Sequence, residues 1–94
     1  MTTAVQDALD LDVRWVLHPQ VALRPESFGA LLYHFGTRKL SFLKNRTIVA
    51  IIESLPDHRD MRSAIAAAGI SDSASAPYVR ALETLADSNM ITRP

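Results

Sequence analysis

The chain reads as an α+β domain in which three antiparallel strands precede three helices, and a change of period along it carries that reading. Between Trp15 and Leu43 the apolar residues come in short alternating runs rich in aromatic and branched side chains, broken by turn formers. Beyond Lys44 they recur every three or four positions, the spacing of one face of a helix. Length is the second observation: 94 residues suffice for one core and leave little for another. A domain of that size buries roughly 60 to 65% of the surface its unfolded chain exposes, so a bound partner would add usefully to its stability.

Residues 1 to 12 are polar and acidic, with Asp7, Asp10 and Asp12 and only Val5, Leu9 and Leu11 as sizeable apolar groups. That composition divides the chain into a flexible tail, 1 to 13, and a domain, 14 to 94. The runs WVLH, VALR, GALLYHF and KLSFLK follow, separated by Pro19, Pro25 and Gly36-Thr37, and read as short strands joined by tight turns. The clearest link is Phe35-Gly36-Thr37-Arg38, where glycine supplies a positive φ cheaply and lets GALLYHF pair antiparallel with KLSFL. Period two sorts the second of these strands: Leu40 and Phe42 face one way, Lys39 and Ser41 the other, and the apolar pair is expected toward the core.

Asn45 caps a first helix with Ile48, Ile51, Ile52 and Leu55 on its apolar face, and Pro56 ends it. Asp57 or His58 opens a second helix containing Met61, Ile65 and Ala68, closed by Gly69 in a left-handed cap. Small residues from Ser71 to Ala76 form a linker, and Pro77 suits the first turn of a third helix. Val79, Leu82 and Leu85 or Ala86 make the buried stripe of that helix, with Met90-Ile91 packing after it.

Composition narrows the chemistry. With no cysteine, the chain offers neither a disulfide scaffold nor thiolate catalysis nor a Cys-based metal site. Ten Lys plus Arg balance ten Asp plus Glu, so no global field draws the chain onto nucleic acid or an anionic membrane. The acidic start lacks the basic residues of a signal or transit sequence and no apolar run is long enough to span a bilayer, which makes the cytoplasm the default compartment. His18, His34 and His58 fall on different elements without metal-ligand spacing, and Gly29, Gly36 and Gly69 build no phosphate-cradling loop. Glu26 with Ser27, or Asp57 with Asp60, makes a catalytic pair only on a geometry that the sequence does not give. Trp15 and Tyr33 read as core or sheet-face aromatics. No enzyme activity, metal or cofactor is expected.

The run HPQVALRPESFGALLYHFGTRKLSFLKN, followed by three helices, closely resembles the precursor-peptide chaperones of mycofactocin biosynthesis, within the peptide-recognition elements related to the PQQ-biosynthesis D protein. The likeness covers roughly residues 15 to 91, and FGALLYHFGTRKLSFLKN is its specific part. It implies a winged helix-turn-helix-like fold in which the leader of a ribosomally made peptide lies as an added strand beside the third strand, in a groove walled by the third helix. It also implies a radical S-adenosylmethionine maturase as second partner, carrying the iron–sulfur clusters and the chemistry.

In a meander the last strand, Lys39 to Leu43, is left with one unpaired edge, a template for another chain. Arg38, Lys39, Lys44 and Arg46 flank it, either as gatekeepers against aggregation or as attractors of acidic peptide residues. Ordering about six peptide residues costs on the order of 6 to 12 kcal/mol, while about five ladder hydrogen bonds return roughly 0.5 to 1.5 kcal/mol each. Two or three apolar peptide side chains, at roughly 1.5 to 3 kcal/mol apiece, must supply the rest. The expected peptide site is therefore Arg38, Lys39, Leu40, Ser41, Phe42, Leu43 and Lys44 on the strand, with Tyr78, Leu82 and Leu85 on the third helix as the apolar wall. For Leu82 and Leu85 the competing reading is ordinary core packing. A DNA-binding winged-helix regulator is the alternative function; the third helix, with Arg80 against Glu83 and Asp87, is poorly charged for it.

Overall fold

The alternating segment folds as a meander and the segment of helical period packs against one of its faces. The computed structural model describes residues 9–94. Strands β1 (Val16–Leu17), β2 (Val21–Glu26), β3 (Gly29–His34) and β4 (Leu40–Leu43) are followed by α1 (Arg46–Ser54), α2 (Met61–Ala67), α3 (Ala76–Asp87) and β5 (Ile91–Thr92). Single 3-10 turns lie at Leu55–Asp57 and Asp72–Ala74. The sheet runs β2-β3-β4, antiparallel throughout, and β1 pairs with β5 as a separate ribbon. The expected three strands and three helices are thus present, with the ribbon in addition. The run WVLH, read as a strand, holds β1, whereas the two residues of β5 show no period, so the pairing of Val16 with Thr92 and Leu17 with Ile91 left no trace in the sequence.

Register decides which face of the sheet is inside. Ser41 lies opposite Leu32 and Leu43 opposite Ala30, and both β3 residues are wholly buried. Leu40 and Phe42, expected toward the core, therefore face away from it and are 52 and 59% exposed. Alternation defines two faces of a strand without saying which is covered. Here the isoleucines of α1, Ile48, Ile51 and Ile52, cover the face of Ser41 and Leu43. Leu32, Ile51, Ile52, Leu55, Met61, Leu82, Met90 and Ile91 form the most deeply buried part of the core.

Gly36 differs in role from the sequence expectation. In the β3–β4 link the positive φ belongs to Arg38, at 65°, and not to Gly36. Gly36 is needed for space: a Cβ there would lie 2.5 Å from Gln20 Oε1 and 2.9 Å from His34 Cε1. Gly29, with φ 149°, lets β3 start directly against β4, because any side chain would run into the Leu43 carbonyl oxygen.

Asn45 caps α1 as its position foretold, its side-chain oxygen accepting from Thr47 N at 2.7 Å and Ile48 N at 3.2 Å. Asn45→Ala should cost about 1 kcal/mol and lower the thermal midpoint by about 4–8 °C, read by circular dichroism; an unchanged midpoint would deny the cap its role. Helix α2 begins later than Asp57 or His58, because the turn that contains Pro56 is 3-10 and Asp60 is the cap, accepting from Ser63 N at 2.8 Å. Hydrogen bonds from Ser63 hold the Asp60 carboxyl below its usual range, so its support of α2 is present at neutral pH and lost as pH falls through that lowered value. Gly69 ends the helix region in the left-handed conformation at φ 85°, and Pro77 sits in the first turn of α3.

The chain ahead of β1 takes up the free end of α2: Met61 N donates to Val13 O at 3.1 Å and Arg62 N to Leu11 O at 2.9 Å. Arg62 also pairs with Asp12 at 2.9 Å, Trp15 Nε1 donates to Asp10 O, and buried Leu9 donates its N–H to Glu83. Of the stretch expected as a tail, residues 1–8 lie outside the described residues and residues 9–13 lie against α2 and α3 in this way.

Candidate functional site

The sheet has two margins, and hydrogen-bond phase distinguishes them. His34 N donates to Lys39 O at 3.0 Å, which fixes the β3–β4 ladder: Ser41 and Leu43 turn their N–H and C=O toward Leu32 and Ala30. Leu40 and Phe42 turn theirs outward, and no described strand lies beyond β4. On the other side Phe35 N donates to Gln20 O at 2.8 Å, so Val21, Leu23 and Pro25 face out of β2. That margin is blunted, since Val21 N already donates to His18 O at 2.9 Å and Pro25 has no N–H to give. Among the described residues, β4 is the margin whose outward-facing N–H groups, those of Leu40 and Phe42, have no backbone partner.

Cations stand at both ends of it. Arg38, Lys39, Lys44 and Arg46 are exposed, and the ion pairs among the described residues, Arg24–Glu26 and Arg62–Asp12, involve none of them. Arg46 reaches back to the Ser27 carbonyl at 3.2 Å and pins the β2–β3 turn beside the start of α1.

The third helix does not stand where an open apolar wall requires it. Leu82 and Leu85 are 0 and 4% exposed and, with Leu43, belong to the one core cluster; Tyr78 is half-buried against it. Helix α3 runs beside β5 and the Asp72–Ala74 turn, whereas β4 packs on α1. Two surface depressions lie elsewhere, one lined by Leu11, Arg62, Ile65 and Ile70 and another by Leu17, Leu23, Ile52 and Pro56. Of the sequence-derived site, residues 38–44 are together along the margin, and Tyr78, Leu82 and Leu85 form no open surface with them. A leucine stripe at helical spacing looks the same whether it lines a groove or a core.

A family model described as the peptide chaperone MftB family matches residues 14–92. The chain belongs to this family. It is 64% identical over 88 residues to the peptide chaperone MftB of Mycolicibacterium smegmatis, covering 94% of this chain and 86% of that one. It is 67% identical over 84 residues to that of Mycobacterium ulcerans and 63% identical over 82 residues to that of Mycobacterium tuberculosis, covering 77 and 75% of those chains. No solved structure matches it at a significant level. The segment shared with the MftB family spans β1 to β5, so the sheet, its open margin and all three helices lie inside it.

Other candidates have local tasks. His34 is buried, its Nδ1 accepting from Gly36 N at 3.0 Å and Thr37 N at 3.1 Å, so it organises the β3–β4 link. His18 Nδ1 accepts from Gln20 N at 3.0 Å in the turn before β2. Among the described residues no helix is long and apolar enough to cross a membrane. Sequence reasoning passed over Phe28 and Phe35, which are exposed; the parity of Leu31 and Tyr33 on β3 was the signal that could have found their face.

Proposed function

We propose that this chain is a non-catalytic carrier that holds the leader of a ribosomally made precursor peptide, of the mycofactocin type, as a strand added to β4 and delivers it to a radical S-adenosylmethionine maturase. The margin of β4 carries this reading: among the described residues Leu40 and Phe42 have no strand opposite their outward N–H and C=O groups, while β2 is blunted. The name shared by its relatives, peptide chaperone, agrees with it. Arg38 to Lys44 would make the ladder and its flanks, and Leu82 and Leu85 would support it from the core that they share with Leu43. The maturase would bring the metal clusters and the chemistry, and this chain position and affinity.

The test is a titration of isotope-labelled chain with the synthetic leader. Saturable one-to-one binding with the largest amide shifts over 38–44 is expected; no saturation up to millimolar peptide would overturn the reading. Reversing Lys39 and Lys44 to Glu should weaken binding at least several-fold at low salt, as two exposed charge pairs at roughly 0.2 to 1 kcal/mol each allow, and flatten its salt dependence. An unchanged salt slope would leave these lysines as gatekeepers.

A further inference from the structure

Among the described residues, the large apolar side chains that stand out of the protein share one face. Phe28, Phe35, Leu40 and Phe42 are 41, 60, 52 and 59% exposed. Register sets Leu40 beside Tyr33 and Phe42 beside Leu31, on the side of the sheet turned away from α1. The Phe28 ring lies 6.1 Å from that of Phe42, and Phe35 meets Tyr33 edge-on at 4.9 Å. An apolar patch of this kind on a small domain is an interaction surface more often than an accident. It also reaches the open margin itself: the two residues whose backbone groups point out of the sheet are those whose side chains rim the patch.

A strand laid on that margin sets alternate side chains directly against Leu40 and Phe42, since cross-strand neighbours stand roughly 4.5 to 5.5 Å apart at Cβ. Its remaining side chains fall on the other face, where Leu43 is already buried and the leucines of α3 are closed. Backbone pairing alone does not offset the cost of ordering a peptide, so apolar contacts are required, and the open apolar area at this margin is on the outer face.

Charge indicates which strand fits. A second copy paired through β4 in antiparallel sense would bring Arg38 and Lys39 against its Lys44 and Arg46, at both ends; in parallel sense each cationic end would meet its equivalent. Like charges opposed across a ladder are destabilising, which disfavours self-pairing and favours a segment with acidic flanks.

We propose that the outer sheet face, centred on Leu40 and Phe42 with Leu31, Tyr33 and Phe28 behind them, is the specificity surface for the added strand. It takes the apolar side chains at alternate positions of a peptide whose flanking residues are acidic. This deepens the strand-addition reading above and rests on it.

The full chain and its Leu40→Ser, Phe42→Ser and doubly substituted variants are titrated calorimetrically with the synthetic leader and with a serine scan of that leader. Each single variant should bind about 10- to 100-fold more weakly and the double variant at least about 100-fold, with thermal midpoints unchanged because both side chains are exposed. The serine scan should lose affinity at every second residue of the bound segment. Variants that bind as tightly as the parent, while amide shifts over 38–44 persist, overturn the outer-face assignment and leave strand addition standing. A parent chain that binds no leader overturns both. Leader binding retained with loss of maturase capture would give the face to that enzyme, and a parent dimer dissociated by Phe42→Ser would give it to a second copy; either result overturns the proposal.

Discussion

Phe42→Pro is expected to abolish peptide capture and leave the domain folded. The Phe42 N–H points away from β3, so proline removes no bond of the β3–β4 ladder, and an outward-facing edge position is where a sheet tolerates it. For an incoming strand the change is severe. A donor is gone, the peptide carbonyl opposite it is left without a partner at about 1 to 3 kcal/mol, and the aromatic contact worth roughly 1.5 to 3 kcal/mol goes with the ring. Together these weaken binding by about two to four powers of ten. Phe42→Ser, which keeps the N–H, should lose only the ring's share, so the gap between the two variants reports the ladder. A folded Phe42→Pro chain with unchanged affinity for the leader would place the peptide elsewhere. Leu43→Pro is a poorer probe, since Leu43 is buried and its backbone pairs with Ala30.

Leu82→Asp is expected to unfold the chain and not merely empty a groove. Leu82 is wholly buried in the core with Leu85 and Met90. Truncating such a leucine costs about 2 to 5 kcal/mol, and a carboxylate left there without a partner adds several more, against a total stability for small domains of about 5 to 15 kcal/mol. Circular dichroism should show loss of cooperative melting near room temperature. A folded variant melting within a few degrees of the parent would mean that the α3 leucines reach the surface, and would restore the third helix as a wall.

What was legible in the sequence was local. The change of period at Lys44, the Asn45 cap, Gly69 and Pro77 each act within a few residues, and each appears where its chemistry put it. What was not legible depends on distant contacts. The phase of β4 is set by which face α1 covers, and judged by side-chain size alone Leu40 and Phe42 outweigh Ser41. The start of α2 depends on backbone bonds from Leu11 and Val13, and the β1–β5 ribbon joins the two ends of the domain. At the site, the margin and its cations followed from strand order, whereas the apolar wall was assigned to α3 because a stripe of leucines carries no mark of what covers it. The corrected phase turns an expected core pair into the exposed rim of the candidate site.

Amide hydrogen exchange along β4, with and without the leader peptide, tests strand addition most directly. In the free chain the Leu40 and Phe42 amides should exchange fast and those of Ser41 and Leu43 slowly, and saturating leader should slow the first pair by at least about tenfold. Leu40 and Phe42 amides that are already protected in the free chain, or that stay fast in the saturated complex, would contradict it.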